Sequence, residues 1–100
     1  MSKITPEILK EFKERMHITH NSEDDNLTRI LNASNIALKS MCGEYLIGED
    51  IDFKELVFER SRYVYNDALE YFNANFQSHI NQLGVNKALE DFQGDINATI

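Results

Sequence analysis

The residues best suited to chemistry are His17, His20, Glu23 and Asp24, which fall in one short polar stretch. Two histidines three positions apart, followed by carboxylates, could hold a metal ion and activate a water, as a hydrolase built on His17, His20 and Glu23 would. Such a site needs a third or fourth ligand that converges on the ion, and nothing in the chain indicates one. Surface histidines in a connector explain the pattern better. His79 stands far along the chain and reads as a solvated or interface residue. Cys42 is the only cysteine, so no internal disulfide can form. As a nucleophile it would need a histidine and an orienting group, and none stands at recognisable spacing. It reads instead as a small buried apolar residue. The chain carries no glycine-rich phosphate loop, no Gly-x-Ser-x-Gly and no zinc-protease pattern. Its many carboxylates suit solvated helix faces better than acid–base pairs. The expectation is a protein that is not an enzyme, with no catalytic residue, cofactor or metal site.

The charge balance narrows the partners. The formal net charge is −7, from 10 basic and 17 acidic residues. After Arg62 the only basic residue is Lys87, against Asp67, Glu70, Glu90, Asp91 and Asp95. Such a surface repels phosphate, and nucleic-acid affinity comes largely from neutralising phosphates. Sequence-specific binding to DNA or RNA is therefore not expected, although a surface past which DNA slides is still allowed. A helix-turn-helix would push the start of its second helix into the major groove, and here that start is Glu23-Asp24-Asp25. No apolar run approaches the ~20 residues that span a bilayer, so no membrane partner is expected. The N-terminus lacks the apolar core of a signal peptide, which suggests synthesis in a cytoplasm.

One hundred residues fit a single modest core. One proline and four glycines leave little material for the tight turns of a sheet protein, so the chain should be all-α. Thr5-Pro6-Glu7 is a helix start, and Ile8, Leu9, Phe12 and Met16 repeat at helical spacing, predicting a first helix over 6–16. Ser22 followed by Glu23-Asp24-Asp25 starts a second helix over 23–41, with Leu27, Ile30, Leu31, Ser34, Ala37, Leu38 and Met41 inward and Gly43 as the stop. Tyr45, Leu46 and Ile47 should pack down as a plug. Asp52 should cap a third helix, with Glu55 completing the capping pattern.

That third helix, 52–83 with a stop at Gly84, is the dominant feature. Unbroken it would span roughly 45 Å, whereas a compact domain of this size has a radius of gyration of about 13 Å. It must break near its end or project beyond its core. Its apolar arc is roughly 180° wide, more than the ~100° that one core contact needs. Val64 and Phe72 read as core. Tyr65, Leu69 and Phe76, at the edge of the arc, are candidate subunit contacts. Residues 84–100 carry Val85, Leu89, Phe92 and Ile96 at helical spacing, a short helix or an arm that orders on a partner. The architecture expected is a small bundle of two shorter helices on one long helix. It divides into a helical unit, 1–83, and a C-terminal arm or short helix, 84–100.

The order of these elements, and above all the run Arg62-Tyr63-Val64-Tyr65-Asn66-Asp67-Ala68-Leu69-Glu70-Tyr71-Phe72, resembles the head–tail connector proteins of long-tailed bacteriophages. The resemblance covers residues 5 to about 83. It implies a structural virion protein made in the bacterial host cytoplasm. It also implies a homo-oligomeric, dodecameric ring that sits beneath the portal protein, meets a tail-side connector or stopper, and continues the DNA channel. Leu89, Phe92 and Ile96 would then be candidates for a docking arm on the portal or on the neighbouring subunit. The rival reading is a small phage-encoded helical regulator that binds and inhibits a host protein.

Overall fold

The structure, a computed structural model, describes the backbone of residues 3–99 and the side chains of residues 3–92. Among the described residues it is all-α: α1 (Pro6–Met16), α2 (Asp24–Cys42), α3 (Ile51–Tyr65), a 3-10 turn (Leu69–Tyr71) and α4 (Phe72–Thr99). The molecule is elongated, with extents of 54 × 28 × 17 Å and a radius of gyration of 15.0 Å.

α1 begins as its sequence predicts. The Thr5 hydroxyl accepts a hydrogen bond from the Ile8 amide at 3.2 Å, and Pro6 occupies the first turn. It ends in a Schellman arrangement: His17 adopts the left-handed conformation (φ 59°), and the His17 and Ile18 amides donate to the Glu14 and Lys13 carbonyls. α2 starts one residue later than expected, at Asp24. Ser22 does not cap it; its hydroxyl pairs with His20 Nδ1 at 2.8 Å. Leu27, Leu31, Leu38 and Cys42 form its buried stripe, and Met41 faces out where the spacing predicts it inward. In the loop, Tyr45 and Ile47 plug the bundle while Leu46 stays exposed. α3 starts at Ile51 rather than after an Asp52 cap, and Glu55 is drawn away to Arg15 of α1. A second clasp joins the same helices, Lys54 to Glu11 at 2.7 Å.

The expected helix 52–83 is not continuous. α3 stops at Tyr65, Asp67 takes φ 57°, and the Asp67 and Ala68 amides donate to the Val64 and Tyr63 carbonyls. This is a second Schellman ending, again closed by a residue other than glycine. Aspartate enters the left-handed region more readily than most residues because its short side chain bonds locally. The break turns the chain back, so that α4 runs antiparallel to α3. Its first turns bring Phe72 and Phe76 against Tyr63, with ring centroids 5.6 and 5.8 Å away. Its middle lies against the end of α2 and the 45–53 segment, where Tyr45 donates to the Leu83 carbonyl at 2.6 Å.

Gly84 does not end a helix. α4 passes straight through it, at a point where a Cβ would lie 3.4 Å from the Met41 carbonyl oxygen. A Cβ there would make an ordinary contact with α2, so neither space nor backbone conformation requires glycine at this position. The glycine that does need its freedom is Gly43, with φ +106° and ψ −174°, a region essentially closed to other residues. A Cβ at Gly43 would also meet Lys87 Cγ at 2.7 Å. Gly43→Ala is therefore expected to cost about 1–3 kcal/mol, read as a fall in the urea midpoint. An unchanged midpoint would show that the loop relaxes freely.

Candidate assembly surfaces

The residues suited to chemistry are dispersed by the fold. His17 serves α1 through its backbone and its side chain is exposed. His20 leans on Ser22, with Nε2 3.8 Å from Glu23. Glu23 accepts a hydrogen bond from the Tyr65 hydroxyl at 2.8 Å. Among the described residues no three His, Cys, Asp or Glu side chains gather where a metal ion could sit. His79 is exposed on α4. Cys42 is buried beside the Ile80 carbonyl, and burial pushes its thiol pKa up, which disfavours the thiolate a nucleophile needs.

The three candidate subunit contacts separate because the helix breaks between them. Tyr65 closes α3, half-buried, and ties it to the start of α2 through Glu23. Phe76 lies on α4, half-buried, stacked on Phe72 at 5.0 Å and edge-on to Tyr63. Leu69 sits in the 3-10 turn and is exposed, next to Tyr71, which is 61% exposed. A 100° projection along one helix cannot cross the left-handed residue at Asp67, so the predicted single edge does not exist. The exposed apolar pair at the turn is Leu69 and Tyr71.

α4 carries two apolar stripes on opposite sides. Phe72, Phe76, Ile80 and Leu83 face the bundle, and Lys87 continues that line, its ammonium 4.7 Å from the centre of the Tyr45 ring. Taking 100° per residue, Val85, Leu89 and Phe92 fall within about 60° of one another and roughly opposite that line. Leu89 is 55% exposed and Phe92 60% exposed. The Ile96 side chain lies outside the described residues. The fold therefore keeps the expected spacing of the arm but places it on one unbroken helix with the bundle-facing residues.

Sequence reasoning misses Ile36, which is 63% exposed on α2. Its signal is phase: an isoleucine that does not fall in line with Leu27, Leu31 and Leu38. Beside it lie Asn32, Asn35, Lys39 and Ser40, lining a groove with Lys3 and Glu44.

The Tyr45 hydroxyl offers a pH test of the α4 contact. Burial, then the nearby Glu90 carboxylate, raises its pKa above the ordinary tyrosine value. Tyr65 shifts in the same direction because it donates to Glu23. A pKa raised in the folded state means that the folded chain holds its proton longer than the unfolded chain. The associated stability is intact below pH ~10 and is lost as pH rises through the folded value. Wild-type stability should therefore fall above pH ~10. Tyr45→Phe should cost about 1 kcal/mol at neutral pH and flatten the alkaline fall. Urea titrations across that range check both, and an alkaline fall as steep in Tyr45→Phe as in wild type would remove Tyr45 as a cause.

No helix among the described residues is long and apolar enough to cross a membrane. No curated protein and no solved structure matches the chain. A family model described as phage gp6-like head-tail connector protein matches residues 6–98, taking in α1 to α3 and almost all of α4. With a match over nearly its whole length, the chain belongs to the phage gp6-like head-tail connector family.

Proposed function

We propose that this chain is a structural, non-enzymatic ring subunit of the virion, one of a dodecameric set beneath the portal protein that continues the DNA channel toward a tail-side connector or stopper. Membership of the connector family supports the general role. The observation that carries the finer reading is the outward stripe of Val85, Leu89 and Phe92 on a small acidic protein whose core is already closed. Exposed large apolar residues in line on one helix mark a contact surface. The net charge of −7 suits a wall that DNA passes without sticking. Residues 84–100 act as the assembly arm, with Leu89, Phe92 and Ile96 as its contacts, although the helix is continuous with the bundle. Leu69 is a second contact point beside Tyr71, while Tyr65 and Phe76 are engaged within the monomer by Glu23 and by Phe72 and Tyr63. Weak contacts between copies are multiplied when the portal presents many sites together.

Electron microscopy of the purified protein mixed with the portal protein of its phage tests the reading. The expected result is a closed ring of fixed subunit number stacked on the portal. A protein that stays monomeric or dimeric with portal present would overturn it.

A further inference from the structure

We propose that Lys87 is a clasp that sets the direction of the outer half of α4, holding residues 84–92 along the bundle through its contact with the Tyr45 ring. For its effect on assembly the clasp rests on the arm reading; as a device of the monomer it stands apart from it. From Val85 to Phe92 every side chain is exposed except that of Lys87, which keeps only 21% of its surface. Ile80 and Leu83 are the last apolar side chains that α4 buries in the bundle among the described residues. Beyond them the helix has one point of attachment.

That attachment is built from both sides. Tyr45 is a fixed platform: its ring stacks on Phe53 at 5.6 Å, and its hydroxyl donates to the Leu83 carbonyl at 2.6 Å. The Lys87 stem crosses the loop at Gly43, where a Cβ would come within 2.7 Å of its Cγ. The stem fits because Gly43 has no side chain. The ammonium then rests 4.7 Å from the centre of the Tyr45 ring. A cation is attracted to the negative face of an aromatic ring, and more strongly where both are partly out of water.

Charge makes the clasp necessary. The groove beside Tyr45 is lined by Glu49, Asp50 and Asp52 on one side and by Glu90 of α4 on the other. After burial, the carboxylates of Glu90, Asp50 and Asp52 each push the Tyr45 pKa up, so acidic groups from both sides bear on one ring. Lys87 is the only lysine or arginine after Arg62, and so the only one that α4 can set between them. Its ammonium lies 3.8 Å from Glu90. Without it, like charges face each other across the groove with no counter-charge from α4. A short helical segment without tertiary contacts is marginal in water, so the outer half would then lose its order. Held by the clasp, it presents Leu89 and Phe92 in one orientation, and a contact face ordered in advance loses less entropy on binding.

Hydrogen exchange of the full chain without portal, read by mass spectrometry on Lys87→Arg, Lys87→Gln and Lys87→Glu, tests the clasp. Glutamine and glutamate are, like lysine, good helix formers, so propensity cannot account for a change. In Lys87→Gln the amides of 84–92 should exchange about tenfold faster than in wild type, the fold-change that a half-desolvated cation–ring contact represents. Lys87→Glu should exchange faster still, and Lys87→Arg, which keeps the cation, should match wild type. The amides of 72–83 should be unchanged in all three. Wild-type protection of 84–92 in Lys87→Gln overturns the clasp. An equal loss over 72–83 also overturns it, by making Lys87 a support of the whole fold. Electron microscopy of the same variants with portal reads the effect on assembly. Lys87→Gln should form fewer rings than wild type although Leu89 and Phe92 are untouched, and Lys87→Arg should form as many. Rings formed as readily by Lys87→Gln, with exchange accelerated, take the clasp out of assembly. The two readings fail separately: wild-type rings with unchanged exchange in Lys87→Gln remove the clasp and leave the ring standing, while accelerated exchange with no ring even from wild type removes the ring and leaves the clasp.

Discussion

Phe72→Ala should destabilise the monomer by about 3–5 kcal/mol, the range for removing a fully buried aromatic ring. Phe72 is the first side chain of α4 and is completely buried. It stacks on Phe76 at 5.0 Å and meets the edge of Tyr63 at 5.6 Å. Those contacts hold the returning helix against α3 directly after the break at Asp67. A domain of this size has a total stability of only about 5–15 kcal/mol. The loss is therefore a large share of the whole, and the urea midpoint should fall by about 2 M. Leu69→Ala is the control, because Leu69 sits three residues away but exposed, and it should change stability by no more than ~0.5 kcal/mol. A Phe72→Ala variant as stable as that control would mean that α4 is held by its later turns alone.

The helix boundaries with strong local chemistry are legible in the sequence alone. Thr5-Pro6 places the start of α1 to the residue, and Gly43 places the end of α2, because capping and left-handed φ are properties of a few adjacent residues. The break after Tyr65 is harder to read. The stretch 52–83 contains neither glycine nor proline, and its aromatic spacing fits one helix as well as two. What breaks it is Asn66-Asp67, two residues that tolerate a helix ending, together with the tertiary gain of bringing Phe72 and Phe76 onto Tyr63. That gain depends on packing that no periodicity shows. Gly84 misleads for the converse reason. It lies inside α4, held there by the packing of the flanking Leu83 and Lys87 against Tyr45, and the backbone carries on through it. The candidate contact surfaces are half legible. Val85, Leu89, Phe92 and Ile96 stand out because so short a tail has no core of its own to cover them. Tyr65 and Phe76 fall on an edge that the break removes, and Ile36 shows only as an apolar residue out of phase.

The sharpest separation of assembly from stability comes from two charge insertions on the same helix. Leu89→Glu combined with Phe92→Glu should leave far-UV helicity and the urea midpoint nearly unchanged, within ~0.5 kcal/mol, because both side chains already face solvent. Assembly should fail. Each residue would lose up to about 1.5–3 kcal/mol of apolar burial at every contact between copies, and each 1.4 kcal/mol is tenfold in affinity. The new carboxylates would also add to Glu90 and Asp91 on the same arm. Phe76→Glu should do the opposite. Its half-buried ring packs against both Phe72 and Tyr63, so a charge there should weaken the α3–α4 hairpin and lower the urea midpoint. Sedimentation velocity with and without portal, beside urea melts of the same samples, distinguishes the two. A double variant at 89 and 92 that still forms rings would release the arm from its role and move the search for the contact to the other exposed apolar residues, among them Leu69 and Tyr71 at the turn between α3 and α4 and Ile36 on α2.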